Sequence, residues 1–147
     1  MFRPALAAAA FLAMQLPLAA LAADPAIFHL SEKGEKEWGY AQAVRVGNTL
    51  YLSGTTGRGA TMADQVKNAY ERIRRTLEHF GADFGDVVKE TVFTTDIEAL
   101  KAASATRKEF YAGRTPASSW IGIDRLFVPE IMVEIEVIAV LEDKPAG

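Results

Sequence analysis

The last apolar segment of the chain alternates so that two carboxylates fall within an otherwise hydrophobic strand. Residues 131–141 read IMVEIEVIAVL. Because strand side chains point alternately to opposite faces, one face is wholly apolar and the other carries Glu134 and Glu136. A buried ionised carboxylate costs several kcal/mol unless it is paired or hydrogen-bonded. The strand therefore borders water, lies at a subunit interface that supplies donors, or carries a functional acid.

An amphipathic helix is predicted between residues 61 and 80. Apolar residues recur at spacings of three and four from Met62 to Phe80, and Thr61 can cap the first turn. Gly81 then provides a residue that ends helices well. A second, shorter helix is predicted from Asp96 to about residue 111.

Five β-branched or alternating segments surround these helices and predict strands. They are residues 41–46, 48–53, 87–95, 117–123 and 131–141. Residues 54–60 (GTTGRGA) contain three glycines and predict a loop. The order is β-β-α-β-α-β-β, and two helices against one sheet predict a two-layer α+β domain with both helices on one face.

The first 23 residues are interpreted as a secretory signal peptide. Arg3 gives a positive start, residues 5–21 are apolar apart from Gln15 and Pro17, and small residues follow. A membrane anchor is the alternative, although Pro17 interrupts the run and alanine is only weakly hydrophobic. Residues 24–147 would then form one exported domain, periplasmic or secreted, with no membrane contact after removal of the signal.

The composition disfavours several classes of function. Loss of Arg3 with the signal would change the formal net charge from −3 to −4, which does not favour a nucleic-acid partner. There is no cysteine, so neither a disulfide nor a thiolate is available. The two histidines, His29 and His79, show no metal-ligand spacing, and neither a metal nor a cofactor is predicted. In so short a domain, a partner subunit would add buried apolar surface.

Several segments, taken in order, resemble the RidA proteins, the YjgF-like reactive-intermediate deaminases. In the N-terminal half these are YAQA (40–43), VGN (46–48) and YLSG (51–54). The run GDVVK (85–89) with TVF (91–93) is similar to the family's central strand, and residues 116–119, 124–126 and 133–136 resemble its C-terminal signature. The resemblance spans roughly residues 40 to 140.

The resemblance implies a homotrimer of chorismate-mutase-like protomers. Their three sheets would form a central barrel with the helices outside, and ligands would bind in clefts between subunits. It also implies hydrolysis of 2-imino or 2-enamino acids to 2-oxo acids and ammonia. Carried over by position, Glu134 would orient or activate water, and Tyr40, Ser53 and Gly54 would line the cleft.

One departure from the family pattern affects the expected substrate. Ser118 stands where the family has the arginine that holds the substrate carboxylate, and Trp120 replaces a small residue. Truncating one partner of such a charge pair typically costs about 2–5 kcal/mol. Three other arginines are candidate substitutes: Arg58, Arg107 and Arg114. Without a substitute, a ligand that lacks a carboxylate is expected, with Ser118 and Trp120 among its contacts.

Two hypotheses follow from these observations. The first is a RidA-like homotrimer that binds a small molecule in intersubunit clefts, with Glu134 supporting hydrolysis of an enamine or imine and an altered substrate. The alternative is a non-enzymatic small-molecule-binding or holdase-like protein on the same scaffold, which the loss of the arginine would favour.

Overall fold

A six-stranded sheet forms the centre of the computed structural model, which describes residues 24–141. The signal peptide predicted at residues 1–23 lies outside that range. The strands are β1 (Ala26–Phe28), β2 (Ala43–Val46), β3 (Thr49–Thr56), β4 (Val87–Thr94), β5 (Ala117–Gly122) and β6 (Val133–Val140). The helices are α1 (Glu32–Trp38), α2 (Met62–His79), α3 (Ile97–Ala102) and α4 (Ser104–Tyr111).

The strands lie in the spatial order β1-β2-β3-β6-β4-β5. All neighbours are antiparallel except the parallel pair β4 and β5. Helix α2 packs across β3 and β6, and α3 and α4 pack beside it. The α+β class, with one sheet and helices on one face, is thus confirmed.

The predicted element list needs three corrections. β1 and α1 were not predicted, because a three-residue strand and a seven-residue helix that contains five charged residues and a glycine show no hydrophobic period. The second predicted helix is two helices, α3 and α4, which meet at Ala103. The predicted loop at 54–60 is shorter, because β3 continues to Thr56.

The core lies between α2 and the inner row of β6. Helix α2 begins with a capping box in which Thr61 and Asp64 bond reciprocally to each other's backbone N–H. Burial of each large apolar side chain contributes about 1.5–3 kcal/mol. The α2 residues of this core are Val66, Ala69, Tyr70, Ile73 and Leu77, and those of β6 are Val133, Ile135, Val137 and Ala139.

The other face of the sheet is open in the protomer. On β6 it carries Glu134, Glu136, Ile138 and Val140, of which Glu136 and Val140 are exposed. Tyr51 of the neighbouring β3 pairs with Ile138 and is also exposed. The alternation predicted for this strand is therefore correct, and both carboxylates lie on the face that the helices do not cover.

The short helix α1 is fixed to the sheet by a buried carboxylate. Glu35 accepts hydrogen bonds from the backbone N–H groups of Ser31 (2.7 Å) and Gln42 (3.0 Å), and its Oε2 lies 2.8 Å from His29 Nδ1. Gly39 then ends the helix in the left-handed conformation, with φ 72°. Because Gln42 directly precedes β2, this carboxylate sets where Trp38 and the residues after it lie.

Within residues 24–141, no helix combines the length and the apolar character that crossing a bilayer requires.

Replacement of Glu35 by alanine should loosen this N-terminal segment. The backbone N–H groups of Ser31 and Gln42 would lose their acceptor, and an unsatisfied buried donor costs about 1–3 kcal/mol. We expect a loss of that size in the free energy of unfolding, measured by urea denaturation at fixed protein concentration, with faster hydrogen exchange at both amides. The matched control is Glu32→Ala on the exposed side of the same helix, for which a change within about 0.5 kcal/mol is expected. Equal effects of the two substitutions would contradict the anchoring role.

Candidate functional site

A cavity of about 730 Å³ lies on the open face of the sheet, beside Glu134. It is lined by residues from β3 and β6, from the end of α1 and the segment after it, and from the segments that connect β3 to α2 and β5 to β6. Four residues singled out from the sequence, Tyr40, Ser53, Gly54 and Glu134, all line it. Arg58 is the candidate substitute arginine that lies there. The remaining lining residues are Trp38, Thr56, Leu126, Phe127, Val128 and Ile131.

A β-bulge places Glu134 over a glycine. Leu52 is paired with Val137 and Thr55 with Ile135, so β3 has one residue more than β6 between these pairs. A Cβ on Gly54 would lie 1.8 Å from Glu134 Oε1 and 2.7 Å from its Cδ. The carboxylate therefore occupies the space that any other residue at position 54 would fill.

Hydrogen bonds from the preceding segment hold the bulge in place. The Ser53 hydroxyl donates to the carbonyl oxygen of Ala41 (2.6 Å), and the Ser53 N–H donates to that of Gln42 (2.9 Å). The buried amide of Gln42 donates to Thr55 Oγ1 (2.9 Å). Because its proton is engaged, the Ser53 hydroxyl can offer a ligand only an acceptor lone pair.

The environment of Glu134 makes its ionised form less favourable than that of a carboxyl group in water. Burial raises the pKa of this carboxyl above its ordinary value, and the negative charge of Glu136 two residues along the same face raises it further. Within residues 24–141 no hydrogen bond or ion pair to its carboxylate offsets these effects. A partly buried carboxyl without a structural partner, in a cavity, can exchange a proton with a bound molecule.

Arg58 reaches the cavity from a loop that lies tightly on α2. Its backbone N–H donates to Asn68 Oδ1 of that helix (2.9 Å). A Cβ on Gly57 would lie 1.9 Å from the Gln65 carbonyl oxygen, so a glycine is required there. Among the described residues the Arg58 guanidinium makes no ion pair or side-chain hydrogen bond.

Ser118 and Trp120 lie elsewhere in the protomer. Ser118 pairs in register with Glu90 of β4, on the side of the sheet that the helices cover. Its hydroxyl donates to Glu90 Oε1 (2.7 Å), and Trp120 Nε1 donates to the Ser118 oxygen (3.0 Å). Within one protomer, neither residue lines the cavity that contains Glu134.

Glu90 is a buried carboxylate that the sequence analysis missed. It is fully buried and accepts hydrogen bonds from Tyr70 (2.9 Å), Tyr111 (2.7 Å) and Ser118, and it forms an ion pair with Arg107. Burial and the Glu90 charge raise the pKa of both tyrosines, which therefore remain neutral donors. Arg107 is thus committed to a structural carboxylate. The signal in the sequence was the position of Glu90 two residues before Val92, because alternation puts both side chains on the buried face of β4.

Arg114, the third candidate substitute, lies near the start of β4. Its Nη1 donates to the Gly85 carbonyl oxygen (3.2 Å), and it does not line the cavity.

Trp38 and Phe127 line the cavity but were not among the residues predicted from the sequence. These two side chains are 66% and 74% exposed, and their rings meet edge to face with centroids 5.1 Å apart. They come from distant segments without hydrophobic periodicity, so no sequence pattern connected them.

Comparisons with known proteins identify relatives over most of the chain. The family model described as Endoribonuclease L-PSP matches residues 34–141. A 2-iminobutanoate/2-iminopropanoate deaminase from Dermatophagoides farinae is 35% identical in an alignment of 111 residues, which covers 70% of this chain and 86% of that protein. The Escherichia coli K12 protein of the same name is 32% identical over 69% of this chain and 86% of its own length.

Solved structures give the same result. A Mycobacterium tuberculosis member of the YjgF/YER057c/UK114 family superposes with a TM-score of 0.76 at 30% identity, covering 80% of this chain and 99% of that one. RidA from an Antarctic Psychrobacter superposes with a TM-score of 0.66 at 29% identity, covering 69% of this chain and 88% of that one.

Replacement of Gly54 by alanine should displace the Glu134 carboxylate without unfolding the protein. The new methyl group would overlap Glu134 Oε1 and Cδ, and the side chain must move off the bulge. We expect a crystal structure of the variant to show the carboxylate moved by more than 1 Å, as the contact distances require, in an unchanged sheet. The control is Gly34→Ala in α1, where the nearest atom to a new Cβ is 3.6 Å away and no movement is expected. An unmoved Glu134 in the Gly54 variant would contradict this geometry.

Proposed function

Because the chain belongs to the RidA/YjgF family, we propose that it is a deaminase that hydrolyses the C–N bond of a small imine or enamine in the Glu134 cavity. The observation that carries the proposal is the Glu134 carboxylate itself. It lies over Gly54 with no structural partner among residues 24–141, its pKa is raised, and it faces a cavity large enough for a small molecule.

A carboxylate at this position can move the protons that imine hydrolysis requires. Ionised Glu134 accepts a proton from water as the water oxygen bonds to the imine carbon, and the C=N electron pair moves to nitrogen. The proton held by Glu134 then passes to that nitrogen. The hydroxyl proton of this carbinolamine then passes through Glu134 to the same nitrogen. Ammonia leaves as the C–N bond breaks, and the oxygen becomes the carbonyl of the product. An imine and one water thus give a carbonyl compound and ammonia.

The proposal includes assembly as a homotrimer through the open face of the sheet. The face exposes large apolar side chains, including Val46, Tyr51, Ile121 and Val140. Exposed apolar area of this kind is typical of protein interfaces. In such an assembly Ser118 and Trp120 of a neighbouring copy would approach the cavity from the edge strand β5.

We also propose that the protein is exported, on the basis of the signal-peptide pattern in residues 1–23.

RNA cleavage, which the description of the family model names, receives less support from the site. Glu134 and Glu136 place negative charge where a polyanionic backbone would have to lie, and Arg58 is the single basic residue among the described residues that line the cavity. We therefore favour a small ligand.

The test is a coupled assay in which an amino-acid oxidase generates 2-imino acids in the presence of this protein. We expect hydrolysis above the buffer rate, and a fall of about 10²–10⁴-fold for Glu134→Gln, the range typical of a lost proton-transfer group. Light scattering should give the same mass, three times that of a protomer, for both proteins. Activity that survives the substitution would refute the site, and silence of the unmodified protein on imines of every side-chain class would favour the non-enzymatic alternative.

The pH dependence of this activity should shift when Glu136 is neutralised. Glu134 must be ionised to accept a proton, so activity falls as the pH drops through its raised pKa. Glu136→Gln removes one of the two causes of that increase and lowers the pKa of Glu134. The acidic limb of the kcat/KM profile should therefore move to lower pH.

Glu98→Gln, on the exposed surface of α3, is the control and should leave this limb unchanged. A limb that stays in place or moves to higher pH in Glu136→Gln would show that Glu134 is not the group that titrates.

A further inference from the structure

We infer that the Glu134 cavity selects ligands that carry both a carboxylate, bound by Arg58, and an aromatic group, packed on Trp38 and Phe127. This inference rests on the proposed function and deepens it, because it names the substrate class as imines of aromatic amino acids. The chemistry that would recognise such a ligand is present in one protomer and does not require an arginine at position 118.

Arg58 is the cation that can bind the carboxylate of the ligand. Arg107 is held by Glu90 and Arg114 lies at the start of β4, so Arg58 is the candidate arginine that the structure places in the cavity. Its loop is fixed on α2 by Asn68, while its guanidinium has no partner among residues 24–141. A free guanidinium on an anchored loop can form a charge-assisted, two-point contact with a carboxylate.

The charges that line the cavity limit the charge of the ligand. Arg58 and Glu134 are the charged residues among the described residues that line the cavity. One positive group can neutralise one carboxylate, and a second anionic group on the ligand would face Glu134 and Glu136. The site therefore favours a ligand with a single negative charge.

Trp38 and Phe127 offer a surface for an aromatic group of the ligand. The side chains of Trp38 and Phe127 are mostly exposed, and their rings contact each other edge to face outside the core. Val128 and Ile131 add further apolar surface to the lining of the same cavity. A third ring can add to such a pair and gain both buried area and favourable ring geometry. A side chain of one or two carbons would leave most of the 730 Å³ unfilled.

The experiment measures binding separately from turnover, with three unreactive probes. These are 3-phenylpropanoate, which has ring and charge, propanoate, which lacks the ring, and 3-phenylpropanamide, which lacks the charge. Isothermal titration calorimetry on the assembled protein should show 3-phenylpropanoate binding tightest. Removal of the charge or of the ring should each weaken binding about tenfold or more.

Substitutions assign each preference to its residue. Arg58→Gln should remove the advantage of the carboxylate over the amide, whereas Arg75→Gln, an exposed arginine of α2, should leave all three affinities unchanged. Trp38→Ala should remove the advantage of 3-phenylpropanoate over propanoate. Equal binding of the three probes, or an Arg58 variant with unchanged preference, would overturn the inference. So would a Trp38 variant that changes the mass of the assembly by light scattering and leaves probe affinity intact, since the aromatic pair would then be a subunit contact.

Glu134→Gln separates this inference from the proposed function. We expect it to bind 3-phenylpropanoate at least as well as the unmodified protein, because a negative charge in the cavity has been removed. If the probe preferences hold but no imine is hydrolysed, the proposed function fails and the binding site stands. If imines are hydrolysed without any preference for the ring or for Arg58, the proposed function stands and this inference fails.

Discussion

The contact between the Glu134 carboxylate and the bare Cα of Gly54 is the constraint on which the site depends. It requires an extra residue in β3, a glycine at that residue, and a glutamate across the sheet in β6. The bulge is fixed in turn by the hydroxyl of Ser53 and by the buried amide of Gln42. Gly54 and Ser53, which the family resemblance assigns to the ligand cleft, thus have a structural role. Gly54 leaves room for the carboxylate of Glu134, and Ser53 holds β3 beside it.

Glu90 and Glu134 belong to the same sheet, but their carboxylates have opposite environments. Glu90 faces the helices and is saturated by two tyrosines, a serine and Arg107. Such a buried charge is structural, because removal of any of these partners would leave it uncompensated. Glu134 faces the open side, and burial raises its pKa with no compensating donor in the described part of the chain. The first arrangement is structural, and the second is the kind found where protons are transferred.

Local pattern in the sequence was enough for the fold class and for the orientation of the last strand. The alternation in residues 131–141 assigned Glu134 and Glu136 to one face, and the structure agrees. The period of α2 and its Thr61 cap were equally local signals. The resemblance then pointed to Tyr40, Ser53 and Gly54, which the structure brings to the same cavity as Glu134.

What the sequence did not reveal depends on contacts between distant segments. Another β-bulge, near Val88, puts Val87 and Glu90 on the same face of β4, so alternation counted from Val87 would assign Glu90 to the wrong face. The position of Ser118 opposite Glu90 follows from strand pairing, which no local pattern specifies. Trp38 and Phe127 meet only because Glu35 fixes α1 and the segment after β5 folds back to it.

The protonation of Glu134 can be followed by an NMR titration of its side-chain carboxyl carbon in the folded, unliganded protein. We expect the pKa of this group to lie above its ordinary value of 4.5, because burial and Glu136 both disfavour the ionised form. A midpoint above that value would identify Glu134 as an acid with no structural partner. A midpoint at or below 4.5 would mean that a donor neutralises the carboxylate, and Glu134 would then be a structural residue.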